Sequence, residues 1–354
     1  MRVLILTPEM RIGGTCRDAA EWANRLAHCG DDVLLVAQSP VGEGVRRLSS
    51  SVQLEGLGGG RALFSAWSLL LLLRRHPDRV ILANAGTLAG LAVIFRGLKL
   101  IRHRIVFVDP FNPADSFRRG WKTVAIYRYL LRHVDAFVHL SKFSERIHLS
   151  LGLGKKNSFV IPNISSSRDT VSSLGPISPS LRLIAVGRLD EIKGFDRLIR
   201  AFGQVTNRWS GATLRIIGEG YDRRRLERII RDSGFEGSIK LMGHSDDVAG
   251  ELLKADVFVL SSLYEGMPNT LVEALDVGMR VVATPCKGPV RSLMHRLGAS
   301  GMLISEDEFG NDLVRAIDAS LSLDSAGWAE IHARYRDIFD SPRNFKQLRE
   351  LLIT

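Results

Sequence analysis

Short runs of β-branched and apolar residues alternate with longer helical patterns along this chain, and the alternation starts afresh past its middle. In the first half, "RVLILT" (2–7), "DVLLVAQ" (32–38), "RVILAN" (79–84) and "RIVFVD" (104–109) read as strands, with helices over about 16–29 and near 64–75. In the second half, "LRLIAVGRL" (181–189), "ATLRIIGEG" (212–220), "SIKLMG" (238–243), "DVFVLSS" (256–262) and "RVVAT" (280–284) read as strands. Helices are expected there over 194–206, 221–233 and beyond the turn at 266–268. Strands that alternate with helices are parallel strands joined by crossovers, so the expected fold class is α/β with two doubly wound domains.

The tract "IPNISSSRDTVSSLGPISPS" (161–180), rich in Ser and Pro, interrupts this rhythm as a linker does. The expected organisation is a domain over 1–165, a linker over 166–180 and a domain over 181–336. A chain of 354 residues exceeds the usual size of one hydrophobic core, which agrees with that division. With 45% hydrophobic and 24% charged residues it has the composition of an ordinary globular protein.

Three scattered cysteines, Cys16, Cys29 and Cys286, lack metal-ligand spacing and point to a reducing compartment, read as the cytoplasm. The opening "MRVLILTPEM" makes a poor signal peptide and a good first strand. The apolar runs 62–73 and 80–95 fall short of the ~20 residues that cross a bilayer. The first of them, flanked by Arg61, Arg74 and Arg75, reads either as a buried helix or as an interfacial one.

Net charge is +10, and its distribution is uneven. Residues 1–175 hold 24 Lys+Arg against 13 Asp+Glu, whereas the remainder holds 24 against 25. A basic first half suits a phosphorylated ligand, an anionic lipid surface or nucleic acid, or is simply a solvated basic face.

The stretch "LYEGMPNTLVEAL" (263–275) sets Glu265 and Glu273 on either side of the turn Gly266, Met267, Pro268. Pro268 suits a helix start, and Asn269 or Thr270 is expected to cap the helix that follows. The free amides and positive dipole end of such a helix favour phosphate. Carboxylates before and within its first turns would accept hydrogen bonds from sugar hydroxyls on both sides of a diphosphate. A nucleotide sugar has that order of parts: ribose diol, diphosphate, pyranose. For the two glutamates alone, a simple helix start is an equally good reading.

In "VGRLDEIKGFDRLIRAF" (186–202), Arg188 and Lys193 follow a strand on a glycine-containing loop, placed to clamp a diphosphate and stabilise its departure. Asp190 and Glu191 could instead pair with them locally. In "RIGGTCRDAAEWANRLA" (11–27), Gly13 and Gly14 lead from the first strand into a helix and would let the backbone approach a ligand; a plain tight turn is the competing reading. There is no Walker A loop, zinc signature, G-x-S-x-G elbow or D-x-D pair, which weakens kinase, hydrolase and metal-dependent transferase readings, and no metal site is expected.

Taken together, the GG loop, "VGRLDEIKGFDRLIRAF", "IIGEG" and above all "EGMPNTLVEAL" resemble family 4 of the retaining glycosyltransferases over nearly the whole chain. The resemblance implies the GT-B fold, two facing Rossmann-like domains with a central cleft, and a last helix (about 337–354) that crosses back to the first domain. It also implies transfer of a hexose or N-acetylhexosamine from a nucleoside diphosphate sugar to a hydroxyl with retention and without metal or other cofactor.

Carried over, Arg188 and Lys193 would bind the donor diphosphate, Glu273 the ribose and Glu265 the transferred sugar. The amides of Asn269 and Thr270 would meet phosphate, and Gly13 and Gly14 would close over the donor. Asp109 stands where many members of that family have an acceptor-side histidine, and "IPNI" stands for their "IPNG". The donor is expected to be a UDP-sugar rather than a GDP-sugar. The acceptor is expected to be a saccharide on a polyprenyl diphosphate, reached from an anionic membrane surface, with no nucleic acid involved. The alternatives are a GDP-mannose-dependent mannosyltransferase, a GT-B epimerase or phosphorylase, and a catalytically silent partner subunit.

Overall fold

The structure, a computed structural model, describes all residues except 11–13, 59–61, 85, 110–120, 154–156, 164–176, 179, 340 and 354. The chain divides into two compact units, Met1–Ile164 with Phe339–Thr354, and Ser165–Ile338. Most of the expected linker lies outside the described residues.

The first unit is built on a seven-stranded parallel sheet of order β3-β2-β1-β4-β5-β6-β7. The strands are β1 (Arg2–Glu9), β2 (Asp32–Ser39), β3 (Gln53–Gly56), β4 (Val80–Asn84), β5 (Ile105–Asp109), β6 (Ala136–His139) and β7 (Ser158–Val160). Val3 to Leu6 and Ile105 to Asp109 are buried throughout, as expected of strands covered by helices on both faces. Register is pinned by aliphatic neighbours such as Leu4 beside Leu34 and Ile81. On one face, Leu4, Leu6, Val36, Ile81 and Phe107 pack with Leu69 and Leu73 of helix Ala62–Arg75, Ala89 and Val93 of helix Gly86–Gly97, and Leu130 of helix Trp121–Arg132.

The last helix, Ser341–Ile353, belongs to this unit. Its Arg349 donates to both carboxylate oxygens of Asp31 (3.0 and 3.1 Å), the same carboxylate that receives the N-terminal ammonium at 2.7 Å. Arg104 donates to the Leu351 carbonyl from the other side.

The second unit carries a five-stranded parallel sheet of order β10-β9-β8-β11-β12: β8 (Arg182–Val186), β9 (Thr213–Ile217), β10 (Ile239–Gly243), β11 (Val257–Leu260) and β12 (Arg280–Ala283). Strands β8 and β11 are sequence-distant neighbours, Leu183 beside Val257 and Ile184 beside Phe258. Successive strands run outward from this pair in opposite directions, so the carboxyl ends of β8 and β11 form a topological switch point, where open α/β sheets leave a crevice for ligands. Both sheets fulfil the α/β, Rossmann-like expectation. No described helix is long and apolar enough to cross a membrane.

Candidate active site

After Val186 the chain runs through Gly187, Arg188, Leu189 and Asp190 into a single 3-10 turn, Glu191–Lys193, and then into helix Phe195–Arg208. Gly194 joins turn and helix at φ +61°, and a Cβ there would lie 2.3 Å from the Ser261 carbonyl oxygen. Only a glycine lets the β8 loop lie this close to the loop after β11. The two loops are then stitched together. Ser261 Oγ donates to the Lys193 carbonyl (2.8 Å) and the Leu263 amide to the Ile192 carbonyl (2.8 Å).

Arg197, one turn into the following helix, donates to the carbonyls of Ser261 (2.9 and 2.7 Å) and Ser262 (2.8 Å), and its guanidinium sits 4.7 Å from the centre of the Phe309 ring. Burial lowers its pKa from the usual arginine value, yet the group remains a cation that fixes the polypeptide just before Glu265.

That glutamate is buried. Its Oε1 accepts from Lys193 Nζ at 2.7 Å and from Ser262 Oγ at 2.5 Å, and its amide donates to the Lys287 carbonyl at 3.0 Å. Gly288 presses against the Glu265 carbonyl, where a Cβ would come to 2.2 Å. Nearby, burial and the Glu265 charge push the Cys286 thiol up to about 12, so this cysteine is no nucleophile. Arg188 behaves differently. Its side chain is 70% exposed and its Nε donates to the buried Asp190 carboxylate at 2.5 Å. Thus the local pairing foreseen for Asp190 holds for Arg188, whereas Lys193 pairs across the switch point.

The helix beyond the turn runs Asn269–Asp276. Pro268, which has no side-chain acceptor, occupies the cap position, and no side chain caps it. The expectation that Asn269 or Thr270 caps this helix is therefore corrected, since both are already helical. The Asn269 amide donates to the Met267 carbonyl (2.9 Å) and the Val272 amide to the Pro268 carbonyl (3.0 Å). Helix geometry leaves the amides between them, of Thr270 and Leu271, without intrahelical acceptors. Glu273, half-buried, lies one turn in. Tyr335 braces the helix from behind, donating to the Val272 carbonyl (3.2 Å) and Asp276 Oδ1 (2.6 Å).

In the first unit, Gly13 lies outside the described residues and Gly14 opens helix Gly14–His28. Asp109 ends β5 and is only 1% exposed. Its Oδ1 accepts from Tyr127 Oη at 3.3 Å, and its Oδ2 lies 3.3 Å from His148 Nε2. The other ring nitrogen, Nδ1 of His148, donates to the Ser144 carbonyl (3.0 Å), which can only accept, and Nε2 faces the Asp109 carboxylate. Asp109 is a member of a buried polar cluster. No group of three or more potential metal-binding side chains occurs among the described residues.

Sequence reasoning passed over Arg197, Ser261 and Ser262. The signal available was two consecutive hydroxyls closing an apolar strand just before an acid. It also passed over Asn163 of "IPNI", whose Nδ2 donates to Asp18 Oδ2 (2.8 Å), both residues being buried.

The sequence profile of the Glycosyl transferases group 1 family matches residues 180–322, the stretch that holds β8 to β12 and both motif loops. The stretch from 180 to 322 is thus similar to group 1 glycosyl transferases. A protein of Methanocaldococcus jannaschii, described as an uncharacterized glycosyltransferase, is 31% identical over 204 residues, 53% of this chain but only 50% of that protein's length. The amylovoran biosynthesis glycosyltransferase AmsD of Erwinia amylovora is 25% identical over 284 residues, 78% of this chain and 79% of that protein. Among solved structures, HepE of Anabaena in complex with UDP and glucose aligns over 99% of both chains with a TM-score of 0.81 at 19% identity. At that identity the likeness is one of fold, and it bears out the GT-B expectation. The stretch similar to that family contains Arg188, Lys193, Glu265 and Glu273.

Proposed function

We propose that the protein is a glycosyltransferase that moves a hexose or N-acetylhexosamine from a nucleoside diphosphate sugar, a UDP-sugar, to a hydroxyl of a saccharide carried on a polyprenyl diphosphate. The transfer proceeds with retention at the anomeric carbon and without metal. The observation that carries this reading is the Lys193–Glu265 pair at the β8/β11 switch point, directly before the uncapped start of helix Asn269–Asp276. A cation, a carboxylate and a helix N-terminus in sequence match a diphosphate flanked by hydroxyl-bearing rings.

In this scheme the diphosphate takes Lys193 and Arg188 as counterions, and the Thr270 and Leu271 amides meet its oxygens. As Lys193 turns to phosphate, Glu265 is freed to accept from hydroxyls of the transferred sugar. Glu273 accepts from the ribose diol. When the bond from the anomeric carbon to the diphosphate oxygen breaks, negative charge grows on that oxygen. Arg188 and Lys193 stabilise this charge as it develops, and cations set beside a developing anion lower the barrier. They supply the charge stabilisation that a metal gives in other transferases, which supports a metal-independent reaction. The likeness to the amylovoran biosynthesis glycosyltransferase AmsD supports a biosynthetic role, and the basic first half of the chain supports an anionic membrane surface as the place of the acceptor.

The test is transfer from a panel of UDP- and GDP-sugars to a polyprenyl diphosphate saccharide in the presence of a chelator, with product stereochemistry read by NMR. Transfer from a UDP-sugar with an unchanged anomeric configuration supports the reading. Inversion, a requirement for divalent metal, or transfer only from GDP-mannose would contradict the corresponding part.

A further inference from the structure

One face of the first unit combines apolar and basic groups in a way its own core does not use. Helix Ala62–Arg75 buries Leu69, Leu70, Leu72 and Leu73 but turns Trp67 (62% exposed), Leu71 and Arg74 outward, spaced as one stripe. Helix Gly86–Gly97 and the residues just after it turn out Ile94, Leu98 (62%) and Leu100, and helix Trp121–Arg132 turns out Ile126 (58%) and Tyr129.

The three stripes adjoin. The first two helices pack on each other, and Arg74 Nε donates to the Leu100 carbonyl. Tyr129 lies over Gly97, where a Cβ would come to 2.1 Å from its hydroxyl. Contiguous apolar exposure of this kind marks an interaction surface.

Charge selects the partner. Residues 62–134 contain 12 Lys+Arg and only three acids, Asp78, Asp109 and Asp115. Asp78 is paired with Arg2, and Asp109 is buried; Asp115 lies outside the described residues. Arg74, Arg75, Lys99, Arg102, Arg128 and Arg132 are exposed. An aromatic and aliphatic patch bordered by cations, on helices too short to span, complements a bilayer surface carrying anionic headgroups: tryptophan and tyrosine suit the interface, and cations suit the phosphates.

We propose that the face formed by Trp67, Leu71, Ile94, Leu98, Ile126 and Tyr129 is a docking surface for a membrane rich in anionic phospholipid. It lies wholly in the first unit, and its test is independent of the transfer reaction and of the donor.

The full chain is sedimented with vesicles of phosphatidylcholine alone and of phosphatidylcholine with added phosphatidylglycerol. Binding to the anionic vesicles only, weakened by salt, is expected. Replacing Arg74, Arg75 and Lys99 together by Gln should lower partition by about two orders of magnitude. Trp67→Ser with Ile126→Ser should lower it comparably with an unchanged melting temperature, because both side chains are exposed. With brominated lipid, the wild type should show tryptophan quenching that Trp67→Phe largely removes. The proposal is overturned by absence of vesicle binding, by equal binding to neutral vesicles, or by variants that bind like the wild type. Retention on duplex DNA without vesicle binding, or a self-association abolished by the same substitutions, likewise overturns it.

Discussion

Lys193 Nζ lies 2.7 Å from Glu265 Oε1, joining two loops whose residues are 72 positions apart and placing a cation and a carboxylate at one switch point. Each partner has a second anchor, Ser261 on the Lys193 carbonyl and Ser262 on the Glu265 carboxylate. Removing the ammonium should therefore affect chemistry more than architecture. Lys193→Ala is expected to lower kcat by about 100-fold with a smaller change in donor KM, because its cation acts mainly on charge that develops as the diphosphate leaves. Steady-state kinetics check this, and a purely KM effect would contradict it.

Glu273 sits half-buried one turn into helix Asn269–Asp276. As the proposed acceptor for ribose hydroxyls it contributes a charge-assisted hydrogen bond, so Glu273→Ala should weaken donor binding by ~1 to 3 kcal/mol. Calorimetric titration with UDP and with UMP measures it. The loss should be similar for both, since both carry the ribose.

Gly194 combines φ +61° with a Cβ position 2.3 Å from the Ser261 carbonyl oxygen. Gly194→Ala meets both strain and a backbone clash, and should destabilise the second unit by ~1 to 3 kcal/mol. Urea unfolding reads the cost directly, and loss of the Lys193–Glu265 alignment should reduce turnover in the same variant.

His139 ends β6, its ring 4.8 Å from that of Phe137 and 4.9 Å from that of His148. Burial, with the His148 ring beside it, pushes its pKa down to about 3. The unfolded chain binds a proton near pH 6.5 that the folded chain refuses until about 3. Stability is therefore full above about 6.5 and falls with decreasing pH by up to ~1.4 kcal/mol per unit across that window. Urea midpoints should drop between neutral and mildly acidic pH, and His139→Phe should flatten the acid limb. An unchanged slope in that variant would assign the loss to other groups.

The sequence carried the chemistry of the site more readily than its support. Arg188, Lys193, Glu265 and Glu273 each sit in a short local motif, so spacing alone suggested them. Gly194, Arg197, Ser261 and Ser262 depend on β8 lying beside β11, a contact across 64 or more residues that no local pattern encodes. The parallel design was legible from long buried strands such as β1 and β2. The short strands β3, β6 and β7 were passed over, because three or four residues show no distinct period. Asp109 marks a different limit: its place at the end of a strand was legible, but its burial beside Tyr127 and His148 arises from tertiary packing.

The most direct measurement is a thermal-shift titration of the purified chain with UDP, GDP and NAD in the presence of a chelator, repeated on the Arg188→Ala, Lys193→Ala double variant. A ligand of the native state must raise the melting temperature by mass action. The account predicts a saturable rise with UDP that exceeds the GDP response, no effect of NAD, and loss of most of the UDP shift in the variant. No shift with either nucleotide, or an undiminished shift without the two cations, would contradict it.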